Sequence, residues 1–314
     1  MHVIEYAQYG GPEVLQLMER PAPSAGPGEV RVRLLAAGIS PIDVKLRAGL
    51  LRAHFALQFP KIPGRDGVGV IDQIGAGVTG LALNDAVCVA ADPAGAGTYA
   101  DAIVCDAARV VRRPAGLNDV QAAALLQPGI SAWISVVETA RISSGMRVLV
   151  HGGSGAVGGL MVQLASYLGA HVTATCRAAN LDYVRSLGAE HAIAYDRDDF
   201  GTLRDQDVVF DLMGGDVHAR SYPVLRCGGH LVYLVAQPFV DQGDAFGVRV
   251  SRAMIVESPK VLQAVAQLAE QGVLQPQVAG VYALADAAMA QRALEQGEVT
   301  RGRLVLVTRA SDVV

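Results

Sequence analysis

Arg147-Val148-Leu149-Val150-His151-Gly152-Gly153-Ser154-Gly155-Ala156-Val157-Gly158-Gly159 is the stretch on which the reading of this chain turns. An apolar run rich in β-branched residues enters a glycine cluster, and an apolar stripe at helical spacing (Val157, Leu160, Leu164, Leu168) follows, closed by Gly169. Within the cluster, Gly153-x-Gly155-x-x-Gly158 has the spacing of a dinucleotide fingerprint between a strand and a helix. Each glycine has a steric reason: Gly153 for the tight turn, Gly155 for backbone approach to a diphosphate, Gly158 for close packing of helix on strand. The first N–H groups of the helix and its positive end then face an anion. The turn over Gly153, Ser154, Gly155, Ala156, Val157 and Gly158 is therefore the candidate phosphate site.

Working outward, the next strand, Val172-Thr173-Ala174, runs into Thr175-Cys176-Arg177. Dinucleotide folds that take NAD carry an acid at the end of this strand, on the ribose hydroxyls. Here no acid stands there, and the planar fork of Arg177 suits a 2′-phosphate. The expected cofactor is NADP(H). Further strands at Val208-Val209-Phe210, Leu231-Val232-Tyr233-Leu234 and 248–256, alternating with helices, predict a doubly wound parallel sheet.

Upstream the pattern differs. Val30-Arg31-Val32-Arg33-Leu34, Gly67-Val68-Gly69-Val70-Ile71, Asp85-Ala86-Val87-Cys88-Val89 and Ala102-Ile103-Val104 are short strands punctuated by Gly and Pro, which predict a compact β-rich unit. An Ala-rich helix over 118–126, capped by Asn118, marks the change. The tail holds two helices (261–271 and 286–295) and a closing strand, Leu304-Val305-Leu306-Val307. With 314 residues there is room for two domains: a β-rich part over 1–117, a nucleotide domain over 118–257, and a tail over 258–314 that rejoins the first part.

Composition narrows the function. A net charge of −4 gives no reason to expect nucleic acid or an anionic membrane as a partner. The four cysteines are scattered without a C-x-x-C pair, which argues against clustered zinc sites and disulfide frameworks and for a reducing cytoplasmic setting. The first residues lack the pattern of a secretory signal, and no uncharged apolar run reaches membrane-spanning length, so the expectation is a soluble cytoplasmic protein.

A family resemblance follows from several stretches together: Tyr9-Gly10-Gly11-Pro12-Glu13-Val14-Leu15, Ala36-Ala37-Gly38-Ile39-Ser40-Pro41-Ile42-Asp43, Pro63-Gly64-Arg65-Asp66-Gly67-Val68-Gly69, the glycine turn, Ser186-Leu187-Gly188-Ala189, Asp211-x-x-Gly214-Gly215, Gly228-Gly229 and Gly302-Arg303. Over nearly its whole length the chain resembles zinc-independent members of the medium-chain dehydrogenase/reductase superfamily, in the quinone oxidoreductase (ζ-crystallin-like) group. The resemblance implies a GroES-like catalytic domain built from both chain ends, a Rossmann domain between them with a cleft where the two meet, and a homodimer. Metal-using relatives carry Cys at the position of Ser40 and Gly-His-Glu where this chain has Gly64-Arg65-Asp66, so both soft zinc ligands are missing and no metal is expected.

The same resemblance assigns further residues. Ser131 corresponds to a hydroxyl beside the nicotinamide, Tyr195 to an aromatic near the adenine ribose phosphate, and Arg303 to a basic residue that reaches the cofactor. Many relatives have Lys where Asn180 stands. Ser40, Asp43 and Lys45 occupy the active-site segment: either Lys45 stabilises enolate charge and Asp43 orients it, or the two form an ion pair near a helix start, with Asp43 favouring the helix N-terminus. Without a Lewis acid, the accessible reaction is hydride addition to an acceptor with a delocalised product anion: a quinone or an α,β-unsaturated carbonyl. Two other readings stay open: an enoyl-thioester reductase, disfavoured because Leu51 stands near where such enzymes carry a proton-donating Tyr, and an NADPH-binding sensor or structural protein without turnover.

Overall fold

The structure, a computed structural model, describes residues 1–234 and 239–308. The chain divides into two compact units: Met1–Gln127 with Glu257–Gly272 and Pro276–Val314, and Pro128–Val256 with Val273–Gln275. The division falls at 127/128, ten residues beyond the composition change near 117, inside the Ala-rich helix, which does not end at 126. It runs over Asp119–Trp133, passes through Pro128, and continues as a π-helix over Ile134–Thr139. Asn118 caps it as expected: its Oδ1 accepts from Gln121 N–H at 2.8 Å, and Gln121 Oε1 accepts from Asn118 N–H at 3.1 Å. By length and hydropathy the continuous helix Asp119–Thr139 is apolar enough to cross a membrane, contrary to the reading of the sequence. Burial of 72% of its most apolar window fits a core helix.

The first unit is built on a seven-stranded sheet. Its order is Val278–Ala283, Arg303–Val307, Glu29–Gly38, Asp66–Ile74, Ala86–Ala90 and Val110–Arg112, with Ala102–Asp106 also paired to Glu29–Gly38. The two chain ends meet in this sheet: the C-terminal strand lies antiparallel to Glu29–Gly38, with Val305 opposite Gly38 and Val307 opposite Ala36. Val30, Val32, Leu34, Ile71, Val87 and Val89 alternate inward and form one apolar core.

The second unit is a six-stranded parallel sheet. In chain order within this unit its strands are β1 (Arg147–Val150), β2 (His171–Cys176), β3 (His191–Ala194), β4 (Gln206–Asp211), β5 (Leu225–Tyr233) and β6 (Arg249–Arg252). Their spatial order is 3-2-1-4-5-6, all neighbours parallel. Helix α1 (Ala156–Tyr167) follows β1, α2 (Leu181–Ser186) follows β2, and α3 (Asp216–Ser221) follows β4. Strand order reverses between β1 and β4, and such a switch point is where doubly wound sheets bind ligands, beyond the carboxyl ends of the strands. The glycine turn stands at that place, at the end of β1.

Candidate active site

The glycine turn is shaped by backbone contact. Gly152, not Gly153, makes the tight corner: it has φ +70°, a region that L side chains rarely adopt. A Cβ on Gly153 would lie 2.7 Å from the Ala174 Cβ, so this position needs glycine for packing against β2. At Gly158 a Cβ would lie 2.2 Å from the Gly152 carbonyl oxygen, which only displacement of backbone would relieve. At Gly155 the nearest atom to such a Cβ is the Gly152 carbonyl at 3.4 Å, ordinary contact. The fold therefore requires glycine at 152, 153 and 158, whereas at 155 a side chain is excluded only by what approaches from outside. Gly155 caps α1, and helix geometry leaves the N–H groups of Ala156, Val157 and Gly158 without intrahelical partners. A diphosphate fits this cradle: the turn offers donors, and the close backbone contacts hold its shape.

The two residues assigned to the phosphate end of the cofactor are brought together. Arg177 leaves the end of β2 exposed, and its Nε–H donates to the hydroxyl of Tyr195, which follows β3, at 3.1 Å. Neither Nη group of Arg177 has a partner among the described residues. Asn180 is buried and its Nδ2 lies 3.5 Å from Ser154 Oγ, between the turn and the start of α2. A cavity of about 510 Å³ opens beside the turn, lined by Gly152, Thr175, Tyr195, Phe200 and Met213 among others. Arg220 stacks over the Phe200 ring at 4.6 Å. Ser131 is buried in the long apolar helix, one turn before its π segment, and its carbonyl accepts from Ser135 Oγ–H at 2.7 Å. π-Helical turns often mark functional positions.

In the first unit, Arg303 corrects an expectation. Instead of reaching outward to a cofactor, it is 3% exposed, and its donors bind inside the unit. Nη1 donates to Asp66 Oδ2 at 2.7 Å and to the Ala123 carbonyl at 3.0 Å. Nη2 donates to Asp66 Oδ1 at 2.6 Å and to Ser40 Oγ at 2.8 Å, and Nε donates to the Ile39 carbonyl at 3.1 Å. These bonds use all five N–H donors of the guanidinium and leave none for a ligand. Asp66 also accepts from Gln127 N–H at 2.9 Å. Arg65 is paired with Glu257, both nearly buried.

Asp43 is 2% exposed and caps its own helix, Pro41–Arg47: one carboxylate oxygen accepts from Ser40 N–H at 2.9 Å and from the Tyr99 hydroxyl at 3.3 Å. Burial pushes its carboxyl up to about 6, against the pull of the Ser40 amide and the nearby Arg303 and Arg65. No described bond joins Asp43 to Lys45, so capping is its observed part and orienting Lys45 is not. Lys45 is half-buried, without an ion pair among the described residues. Leu51 is half-buried. The four cysteines are unpaired; Cys88, Cys105 and Cys176 are buried, and burial drives the Cys88 and Cys105 thiols up to about 12.

Two family profiles match, the alcohol dehydrogenase GroES-like domain over residues 26–115 and the zinc-binding dehydrogenase family over residues 187–306. The chain is 34% identical to a chloroplast envelope quinone oxidoreductase homolog of Arabidopsis thaliana, over 62% of this chain and 61% of the relative's length. It is 29% identical to a 2-haloacrylate reductase of a Burkholderia species, over 96% of this chain and 97% of the relative. The solved structure of Escherichia coli quinone oxidoreductase complexed with NADPH superposes with a TM-score of 0.89 at 28% identity, covering 98% of this chain and 100% of that one. This chain belongs to the medium-chain dehydrogenase/reductase superfamily. Like the solved quinone oxidoreductases it superposes on, it has a GroES-like unit and a Rossmann-type unit.

Sequence reasoning missed the residues under the turn. His151 and Thr175 line the cavity beside Gly152, and His151 had no ligand-type spacing to mark it. Only its place, directly after an apolar strand and before the glycines, sets it apart.

Proposed function

We propose that this protein is an NADPH-dependent, metal-independent reductase that transfers a hydride to quinones or α,β-unsaturated carbonyl compounds. The observation that carries the cofactor choice is the Arg177 fork, held by Tyr195 at the end of β2 where an NAD-selective fold would carry an acid. The relative named for reducing 2-haloacrylate, an α,β-unsaturated acid, supports the acceptor class.

When bound, the nicotinamide supplies the hydride. The residues of this chain do the rest. The amides of Ala156, Val157 and Gly158 and the positive end of α1 hold the diphosphate; Arg177 and Tyr195 hold the 2′-phosphate; the Ser131 hydroxyl orients the nicotinamide end. Ser40 and Asp43 fix the start of the helix Pro41–Arg47, and the Lys45 ammonium donates a hydrogen bond to the acceptor oxygen as negative charge develops there. Protonation of the product comes from solvent, since Leu51 has no proton to give. The donor set does not fit zinc: Ser40 Oγ and the Asp66 carboxylate are engaged by Arg303, and Arg65 is no ligand. A cytoplasmic homodimer completes this reading, with the edge strand β6 available for pairing between copies.

The test is oxidation of NADPH, followed by absorbance, with 1,4-benzoquinone, 9,10-phenanthrenequinone and a small enone. Turnover with at least one acceptor and no stoichiometric zinc by metal analysis is the expected result. Tight NADPH binding with no oxidation by any of them would replace this reading with that of a non-catalytic NADPH-binding protein. Turnover confined to enoyl thioesters would replace it with the thioester reductase.

A further inference from the structure

A chain of hydrogen bonds runs beneath the glycine turn, and each of its protons can be placed. Ser221, in α3, donates its hydroxyl proton to the Val217 carbonyl at 2.6 Å. Its oxygen therefore accepts from His151 Nε2–H, 3.1 Å away. With the proton on Nε2, Nδ1 is an acceptor, and it lies 3.2 Å from Thr175 Oγ1. Thr175 donates its proton there, and the same oxygen accepts from Gly152 N–H at 3.2 Å. The Thr175 carbonyl accepts from the next amide, Gly153 N–H, at 2.9 Å. Thr175 thus holds two consecutive amides of the turn, one directly through its carbonyl and one through a hydroxyl whose direction His151 sets.

All three side chains lie inside the unit: His151 is 1% exposed, Thr175 3% and Ser221 0%. The imidazole stands edge-on to Phe200 with ring centroids 4.5 Å apart. Burial, together with the charge of Arg220, pulls its pKa down to about 4 against the opposing field of Asp211, so at neutral pH the ring is uncharged, as the two hydrogen bonds require. Gly152 is the corner residue at φ +70°, and its carbonyl accepts from Gly155 N–H at 3.0 Å while standing against Gly158. The orientation of the Gly152 peptide thereby sets where α1 begins and where its open amides point.

We infer that His151 is a positioning residue for the cofactor: as the neutral Nε2–H tautomer it fixes the Thr175 hydroxyl and, through it, the phosphate-binding turn. This rests on the turn being the phosphate site. The test uses the full chain and three variants. His151→Asn places an amide oxygen near the position of Nδ1 and keeps the bond to Thr175. His151→Gln places an amide nitrogen near Nε2 and keeps only the bond to Ser221. Thr175→Val removes the hydroxyl at constant shape.

Three readouts are compared: the NADPH dissociation constant by fluorescence, hydrogen exchange at the Gly152 amide by NMR, and Tm. Loss of one such hydrogen bond weakens NADPH binding by up to about tenfold, so His151→Gln and Thr175→Val are expected near that limit, with faster Gly152 exchange. His151→Asn is expected to stay within about threefold of the wild type, and kcat at saturating NADPH to change less than about twofold in all three. Should His151→Gln not fold, Thr175→Val decides alone. Unchanged NADPH affinity and Gly152 exchange in both, or equal losses in the Asn and Gln variants, would overturn the inference. A wild-type protein that binds no NADPH would instead remove the functional reading, and Gly152 exchange would still judge the tie.

Discussion

Arg303 and Arg177 look alike in the sequence, each a basic residue beside a motif glycine or strand end, and both are expected to touch the cofactor. The structure separates them. Arg303 is buried on Asp66, Ser40, Ile39 and Ala123, and its Nε, Nη1 and Nη2 all donate inside the unit. Arg177 is exposed, with its Nε on one phenol and neither Nη group paired among the described residues. A guanidinium saturated by a buried carboxylate is a fastening between strands, whereas one oriented by a neutral partner and left open is prepared for an anion. The same contrast holds between the two corners around them. The Ser40–Asp66 corner is closed by its own charges; the turn at Gly152 to Gly158 is held by uncharged packing and hydrogen bonds.

The contrast can be broken most severely at Arg303. Removing it strands the fully buried Asp66 carboxylate, so Arg303→Leu is expected to cost about 3–5 kcal/mol in urea unfolding. A loss below about 1 kcal/mol would mean that the pair is no fastening. The turn offers the next test. Gly158→Ala forces a Cβ to 2.2 Å from the Gly152 carbonyl and is expected to lower Tm and to weaken NADPH binding by at least about a hundredfold. Gly155→Ala meets its nearest atom at 3.4 Å, so Tm is expected to hold while NADPH binding weakens by about tenfold. Equal effects of the two on Tm would contradict the separation of packing from ligand approach.

A smaller effect sharpens the closed corner. The Asp43 carboxyl is raised from 3.8 to about 6 by burial, so across that interval the folded state keeps a proton that the unfolded chain has released. Its contribution to stability therefore falls as pH rises from about 4 to about 6 and is level above. Asp43→Asn keeps an oxygen for the Ser40 amide and lacks this titration. Relative to wild type, the variant is expected to gain roughly 1–3 kcal/mol between pH 4 and pH 7, read from denaturant midpoints at each pH. A constant difference across that range would show that Asp43 does not titrate there.

The doubly wound sheet was legible because β1, β2, β4 and β5 carry β-branched runs bounded by glycine. Strand β3, His191-Ala192-Ile193-Ala194, was not, because alanine has poor strand propensity and only parallel pairing with β2 defines it. The edge strand Val278–Ala283 carries Gly280 and was hidden for a similar reason. The Ala-rich helix was expected to end at 126, yet it continues through Pro128 to Trp133, where proline ordinarily disfavours a helix interior. Within the site, the glycine spacing and Arg177 were readable, since their demands are local. The fate of Arg303 was not, because Asp66 and Ser40 are distant in sequence and only the antiparallel pairing of the chain ends sets them together. The left-handed corner lay one residue earlier than the fingerprint implied, at Gly152.

The most direct test of the NADPH assignment is the ratio of kcat/KM for NADPH over NADH with 1,4-benzoquinone as acceptor, in wild type and in Arg177→Ala. A charge-assisted pair between Arg177 and the 2′-phosphate gives an expected wild-type ratio above about ten, falling toward about one in the variant while the NADH value stays put. A ratio that Arg177→Ala leaves unchanged would contradict the assignment.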